Sequence, residues 1–201
     1  MIYKEYIFDK KVILVCPSNI LIDSKLGIWI DSFDVVIRIN NFFNTIKFNI
    51  KDCGKRCDVL YINNQFAREF SPFPLENWKS KGLKWLCYKK VLNEVDKNIN
   101  NRIFGHVAKE LNTVYGALTG TLAVKDILNQ RPKTLYVSGM NFYSSPENNS
   151  HYIEGYAPGR DAEYENRIHN VESNKSYIIR LYKNKKIKLC ELTKKVLNIK
   201  I

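Results

Sequence analysis

Residues 12–40 read VILVCPSNILIDSKLGIWIDSFDVVIRIN and decide the fold of this 201-residue chain. The stretch contains two short apolar runs rich in β-branched residues, at 12–15 and 35–39, and polar residues follow each run. Such runs predict buried strands. The two runs therefore predict neighbouring parts of one sheet, each ending in a polar turn.

The same pattern recurs along the chain. The predicted strands lie at 12–15, 35–39, 59–62, 83–88, 134–138 and 187–190. Between them the apolar residues have helical spacing, as at Leu118, Leu122 and Ile127, and again at Tyr177, Ile178 and Leu181. This alternation predicts an α/β fold, with a mostly parallel sheet and helices on both faces. No repeat, linker or change of composition divides the chain, so we expect one Rossmann-like domain over residues 1–201.

The composition excludes several classes of protein. Apolar residues make up 45% of the chain, enough for a buried core, but no run is long enough to span a membrane and no secretory signal is visible. The odd number of cysteines, five, argues against a disulfide framework. Cys53 and Cys57 have no second pair of ligands with which to complete a zinc site. We expect a cytoplasmic protein with neither metal nor cofactor.

The charge favours an anionic partner. Lys and Arg number 32 against 20 Asp and Glu, a net charge of +12, which suits a sugar nucleotide, a nucleic acid or an acidic membrane. Much of the surplus lies in residues 183–200, KNKKIKLCELTKKVLNIK. We favour a strand followed by an amphipathic helix with a solvated lysine face. A peripheral membrane contact through this segment is the alternative.

Polar side chains follow three of the predicted strands. Ser18 and Asn19 follow the run 12–15, Asn40 follows 35–39, and Asn63 follows 59–62. Ligands of parallel sheets bind beyond the carboxyl ends of the strands. Asn both donates and accepts hydrogen bonds, so these side chains could hold a ribose and the edge of a base. Asn is also an ordinary strand-ending residue, and the pattern alone leaves both interpretations open.

A loop of small residues opens the helix that precedes strand 134–138. The segment 115–122, YGALTGTL, would present free N–H groups at Thr119 and Gly120, which suit a phosphate. It matches neither GxxxxGK[ST] nor GxGxxG, so a plain helix start is the alternative.

Two of the three histidines, His151 and His169, follow strand 134–138. We expect His169 at the start of the helix that carries Tyr177, with Asn170 as its cap. A helix N-terminus disfavours imidazolium, so a histidine there stays neutral and suits a general base. A solvent-facing histidine beside a cap is the alternative.

Taken together, these motifs resemble the sialyltransferases of glycosyltransferase family 29 and, more loosely, the short bacterial sialyltransferases. Residues 12–40 resemble the large sialyl motif, 118–120 with 135–142 the small motif, 150–152 the third motif, and His169 the histidine of the very small motif. The resemblance covers most of residues 11–190. Cys16-Pro17-Ser18 stands where the family usually has Gly-Asn-Ser, and Asn174 where it normally has Glu.

The resemblance implies the GT-A-like variant fold of sialyltransferases and a metal-independent, inverting reaction. Sialic acid, or a related ulosonic acid, would move from a CMP-activated donor to a glycan or glycolipid hydroxyl. His169 would be the general base. His151, Tyr152 and Tyr143, with the N–H groups of Thr119 and Gly120, would meet the departing phosphate. Ser18, Asn19, Asn40 and Asn63 would contact the rest of the donor.

Other functions remain open from the sequence. The same fold could use another donor, such as CMP-Kdo, or could be non-catalytic, given the departures at residues 16–17 and 174. A basic nucleic-acid-binding module is a further alternative, although the lysines gather near the end and no RNA-binding aromatic signature is present. Acceptor sugars often stack on aromatic rings, and core packing is the alternative role for the candidates Phe42, Phe43, Phe66, Trp78 and Tyr156.

Overall fold

A computed structural model describes residues 2–40, 49–63, 75–88, 100–103, 117–144 and 169–200. Within them, seven strands form one sheet in the order β5-β4-β3-β2-β1-β6-β7, and all neighbours pair in parallel. The strands are β1 (Lys11–Val15), β2 (Val35–Ile39), β3 (Val59–Ile62), β4 (Trp85–Tyr88), β5 (Asn100–Ile103), β6 (Thr134–Ser138) and β7 (Lys188–Leu189). The predicted α/β class is confirmed.

Helices occupy much of the rest of the described chain. They are α1 (Tyr3–Ile7), α2 (Gly27–Asp31), α3 (Ile50–Cys53), α4 (Leu75–Ser80), α5 (Thr119–Asn129), α6 (Val171–Lys183) and α7 (Glu191–Val196), with a 3₁₀ turn at Asn19–Leu21. Among the described residues, no helix is both long enough and apolar enough to span a bilayer.

The predicted strand positions agree closely with the structure. The bounds predicted for β2, β3 and β6 are those observed, and β1 begins one residue early, at Lys11. The prediction for 83–88 was too long because Leu83 belongs to the turn after α4, where its N–H donates to the Trp78 carbonyl (3.1 Å). The prediction for 187–190 was also too long, since Cys190 is already the N-cap of α7.

Strand β5 was not predicted, because its sequence, Asn-Asn-Arg-Ile, contains no apolar run. Among the strands that the structure describes, it lies at the end of the sheet order and pairs with β4, with Trp85 opposite Asn100. A strand at the edge of a sheet needs less apolar sequence than an inner strand, and its polar residues discourage pairing with other chains.

Both faces of the sheet are covered, as predicted. Successive side chains of a strand point to opposite faces. Val12 and Leu14 belong to one apolar cluster, which includes residues of α1, α5 and α6. Ile13 and Val15 belong to a second cluster, which includes Ile30 of α2. The core is therefore two layers of side chains, one on each side of the sheet.

A buried hydrogen-bond network fixes α5 on the sheet. The Tyr61 hydroxyl of β3 donates to the Asp126 carboxylate of α5 (2.5 Å) and is 2.8 Å from the Tyr3 hydroxyl of α1. Burial, followed by the neighbouring Tyr3, raises the pKa of Tyr61 well above its usual value. The hydroxyl therefore stays protonated and can donate, which holds the helix that begins at Thr119 in a defined position.

Candidate active site

The order of the strands reverses between β1 and β6. Strands β2 to β5 follow one another on one side of β1, whereas β6 and β7 lie on the other side. In open parallel sheets, ligands bind in the crevice beyond the carboxyl ends of the strands at such a reversal. The turns that border this crevice are residues 16–19 after β1 and residues 139–143 after β6.

A glycine lets these two turns approach closely. Gly139 has a φ of +72°, and a Cβ at this position would lie 2.5 Å from the Cys16 carbonyl oxygen. The Cys16 N–H in turn donates to the Ser138 carbonyl (2.9 Å). Any larger residue at 139 would therefore be strained by its backbone conformation and would force the two turns apart.

Asn141 links the two turns through its side chain. Its amide nitrogen donates to the Asn19 side-chain oxygen (3.4 Å), and its own side-chain oxygen accepts the Tyr143 N–H (3.2 Å). The side chain is mostly buried. Asn141 was not among the predicted site residues. Its position in the turn that follows β6 was the signal that could have identified it.

A second pair of asparagines joins the ends of β2 and β3. The Asn40 side-chain oxygen accepts the Asn63 N–H (3.0 Å), and the Asn40 N–H donates to the Tyr61 carbonyl (2.7 Å). Asn40 has a φ of +53°, a left-handed conformation that asparagine tolerates better than most residues. The amide nitrogen of Asn40 bonds no described residue, so it can donate to a ligand.

Ser18 has a local structural role. Its hydroxyl oxygen accepts the Ile20 N–H (3.4 Å) and caps the 3₁₀ turn, and the side chain is almost fully buried. Ser18 therefore shapes the turn that carries Asn19.

The N-terminus of α5 lies against the same edge of the sheet. A Cβ on Gly120 would lie 3.0 Å from Met140 Cε, 3.2 Å from Cys16 Sγ and 3.4 Å from Ile39 Cδ1, atoms that follow or end three different strands. The first hydrogen bond of the helix runs from the Leu122 N–H to the Leu118 carbonyl (3.0 Å), and Leu118 provides no side-chain cap.

The first turn of α5 therefore has unpaired donors. Within the described part of the chain, the N–H groups of Thr119, Gly120 and Thr121 have no partner, as the first turn of a helix dictates when no cap is present. The buried Thr121 hydroxyl has no partner there either. With the positive end of the helix dipole, these donors favour an anionic group.

One buried side chain connects this turn to the segment that carries His169. The Asn174 side-chain oxygen accepts the Leu118 N–H (3.1 Å), and its amide nitrogen donates to the Asn170 carbonyl (2.8 Å). Asn174 is fully buried. The start of α5 and the start of α6 are thus held together through Asn174, the position at which the sequence departs from the resemblance.

His169 lies two residues before the start of α6 and is partly buried. Asn170 is the N-cap of α6, as predicted, since its side-chain oxygen accepts the Ser173 N–H (2.9 Å).

The structure brings most of the predicted site residues to this one edge of the sheet: the turns and helix starts described above carry Ser18, Asn19, Asn40, Asn63, Thr119, Gly120, Tyr143 and His169. His151 and Tyr152 lie outside the described residues, as do Phe42, Phe43, Phe66 and Tyr156. Trp78 is only 1% exposed and belongs to the interior, which agrees with core packing and not with sugar stacking.

The thiol beside the crevice is chemically inert. Burial, followed by the neighbouring Cys190, raises the pKa of Cys16 to about 12. A thiol with such a pKa is protonated at neutral pH and is neither a nucleophile nor a charged group. The described groups that border the crevice are thus neutral amides, hydroxyls and N–H donors, which suit a ligand that carries its own negative charge. Among the described residues, no three His, Cys, Asp or Glu side chains are grouped as a metal site would require.

Comparison with solved structures places this fold among those of sialyltransferases. A mammalian sialyltransferase in complex with Gal-β-1-3GalNAc-ortho-nitrophenol matches with a TM-score of 0.59 at 15% identity, over 94% of this chain and 72% of that one. The sialyltransferase CstII from Campylobacter jejuni, in complex with the substrate analogue CMP-3FNeuAc, matches with a TM-score of 0.59 at 15% identity, over 90% of this chain and 80% of that one. A tyrosine-to-phenylalanine variant of the sialyltransferase CST-II, in complex with CMP, gives a TM-score of 0.60 at 17% identity, over 90% of this chain and 80% of that one.

No family model matches the sequence, and no curated protein matches it. The fold and the crevice define the class of this protein: an α/β protein with the GT-A-like fold of sialyltransferases. The resemblance to sialyltransferases is therefore confirmed at the level of the fold.

Proposed function

We propose that this protein is a glycosyltransferase that uses a CMP-activated sugar donor. One observation carries the proposal. Two hydrogen-bonded asparagine pairs lie at the carboxyl edge of the sheet, and the uncapped start of α5 and the segment of His169 lie at the same edge. The fold is one in which solved sialyltransferases have been observed with CMP and with CMP-3FNeuAc, which supports the choice of nucleotide.

The two kinds of group in the crevice suit two parts of such a donor. Amide side chains at Asn19, Asn40, Asn63 and Asn141 can donate to and accept from the ribose and the base without adding charge. The free N–H groups at Thr119 and Gly120 suit an anionic group, and both the phosphate and the carboxylate of a CMP-ulosonic acid are anions. We therefore propose sialic acid or a related ulosonic acid as the transferred sugar.

The proposed reaction is a single displacement with inversion at the anomeric carbon. The acceptor oxygen forms a bond to that carbon while the bond to the phosphate oxygen breaks, and CMP leaves with the electron pair. His169 takes the proton of the acceptor hydroxyl. His151, Tyr152 and Tyr143 are proposed to stabilise the departing phosphate, so the reaction needs neither a divalent metal nor a cofactor. The proposed acceptor is a hydroxyl of a glycan or glycolipid, and the proposed location is the cytoplasm.

A transfer assay tests the proposal. The purified protein is incubated with CMP-sialic acid or CMP-Kdo and a panel of glycan acceptors, and product formation is followed by mass spectrometry. Removing a positioned base costs about 10²–10⁴-fold in rate, so His169→Ala should lose transfer by that factor while CMP affinity changes less than about twofold. His169→Asn, which keeps a polar side chain but no basic nitrogen, should lose transfer equally. Undiminished turnover in both variants would remove His169 from the mechanism.

A further inference from the structure

Three exposed isoleucines lie on neighbouring segments of one surface. Ile22 is 55% exposed, Ile28 of α2 is 89% exposed and Ile50 of α3 is 56% exposed. Exposed apolar side chains of this size are informative when they are grouped, because water disfavours them. Single exposed isoleucines would need no explanation, but three on neighbouring segments do.

The contacts between the three segments place them side by side. A Cβ on Gly27 would lie 2.0 Å from the Ile50 carbonyl oxygen, so α2 and α3 are in direct backbone contact. The Asp52 carboxylate of α3 accepts the N–H groups of Asp23 (3.0 Å) and Lys25 (2.9 Å), which hold the loop after Ile22 against α3.

The segments that carry the isoleucines are fixed to each other and to the sheet. The Ser24 hydroxyl donates to the Asp52 carbonyl (3.2 Å), in addition to the two bonds that the Asp52 side chain accepts. Leu21, Ile30 and Cys53, from the same three segments, point inward and belong to the cluster that packs on β1. The exposed isoleucines therefore lie on the outer side of a layer whose inner side is fixed to the sheet.

Exposed lysines lie close to the isoleucines along the chain. Lys25, Lys51 and Lys55 are exposed on the same segments. Asp52 is buried, and the Asp31 carboxylate accepts the N–H groups of Lys55 (2.9 Å) and Arg56 (3.0 Å). Asp23 is exposed, Asp31 is partly exposed, and Asp34 is exposed just beyond α2. These segments thus present three exposed lysines together with the isoleucines.

From this combination we infer that the isoleucine surface, defined by Ile22, Ile28, Ile50, Lys25, Lys51 and Lys55, docks on an anionic lipid bilayer. Apolar side chains insert at the boundary between headgroups and acyl chains, and lysines beside them bind anionic headgroups. A second copy fits less well, because three isoleucines present roughly a few hundred Å², less than the ~800 Å² per partner of a standard interface. Two such cationic surfaces would also repel each other.

The isoleucine surface lies close in sequence to the crevice, which suggests a function for membrane docking. Ile22 lies three residues after Asn19, which borders the crevice at the end of β1. A protein docked through this surface would hold the carboxyl edge of its sheet close to the membrane. If the proposed function is correct, headgroup hydroxyls of glycolipids would then be within reach of the site, but the docking itself does not depend on that function.

Vesicle sedimentation tests the inference with the full chain. The protein is mixed with vesicles of phosphatidylcholine alone, or of phosphatidylcholine with phosphatidylglycerol, and the bound fraction is measured. We expect binding to the anionic vesicles and a loss of about tenfold or more for Ile28→Ser combined with Ile50→Ser. Ile28→Ser alone removes little packing, because the side chain is 89% exposed, and it should lose binding without a change in the unfolding midpoint.

Matched variants make the result decisive. Ile2→Ser with Phe8→Ser changes residues that are 60% and 53% exposed beside α1, which packs on the opposite face of the sheet, and this pair should bind as the wild type does. Binding that depends on Lys185 and Lys186 and not on the isoleucines would overturn the inference, as would a dimer in sedimentation velocity that Ile28→Ser dissociates. CMP affinity in solution should be unchanged by Ile28→Ser, so failure of docking and failure of the proposed function give different results.

Discussion

Replacing Asn174 by alanine tests the connection between the two helix starts. The substitution removes the acceptor of the Leu118 N–H and the donor to the Asn170 carbonyl, bonds of 3.1 and 2.8 Å. A buried group left without its partner costs about 1–3 kcal/mol, and two bonds are lost. Some of this cost is relieved where water reaches the partly buried Leu118. We therefore expect the free energy of unfolding to fall by about 2–4 kcal/mol.

The assay is urea denaturation followed by circular dichroism, with the transfer rate measured on the folded variant. Asn184→Ala is the matched control, because Asn184 is an exposed asparagine at the other end of the same helix. Its effect should stay within about 0.5 kcal/mol, as for most surface substitutions. Asn174→Asp can still accept from Leu118, but it places a buried carboxylate oxygen against the Asn170 carbonyl oxygen, so it should destabilise the protein at least as much as Asn174→Ala.

Catalysis provides the second measurement. If Asn174 holds the His169 segment against the start of α5, Asn174→Ala should lower kcat more than it weakens CMP binding. The substitution would misplace the proposed base but leave the two asparagine pairs at the strand ends in position. A loss of less than about 0.5 kcal/mol in stability, with kcat unchanged, would refute the role assigned to this side chain.

Two further predictions concern the turns and the buried thiols. Gly139→Ala should destabilise the protein by about 1–3 kcal/mol and weaken CMP binding, because its Cβ would lie 2.5 Å from the Cys16 carbonyl oxygen at a φ of +72°; calorimetry that shows wild-type affinity would contradict this. Burial raises the pKa of Cys16 to about 12 and that of Cys53 to about 11, both from 9.0. As the pH rises, the thiols of the unfolded chain lose their protons before those of the folded protein do. Below pH 9.0 the stability is therefore unaffected by these thiols' titration, and above pH 9.0 the free energy of unfolding should fall by about 1.4 kcal/mol per pH unit for each thiol. Urea midpoints measured against pH should show this slope, and Cys16→Ala should make it shallower; an unchanged slope would argue against the buried thiol as its source.

The sheet was largely predictable because its inner strands are apolar on both faces. All five residues of Val35–Ile39 are buried, and four of the five are β-branched and apolar, which is typical of a buried parallel strand. The edge strand Asn100–Ile103 was not predictable, because its pairing with β4 depends on position in the sheet and not on its own residues. The two shortened strands were misjudged because apolar residues in the adjoining turns are also buried.

The site was predictable only as a set of positions beyond strand ends. Asn19, Asn40 and Asn63 could be selected because the turns after parallel strands all meet at the carboxyl edge of the sheet. The pairing of Asn141 with Asn19 could not be selected, since a long-range contact between side chains leaves no local pattern. The link through Asn174 was hidden for the same reason: a buried asparagine within a helix has no signature in its neighbours.

Isothermal titration calorimetry of CMP tests the central claim most directly, because it asks whether the amide-lined crevice binds the nucleotide. CMP should bind, with UMP and AMP markedly weaker, and Asn141→Ala should bind CMP about tenfold more weakly through the lost amide contacts. No heat with CMP, or equal affinity for all three nucleotides and for Asn141→Ala, would contradict the account and leave the sialyltransferase fold without the proposed donor.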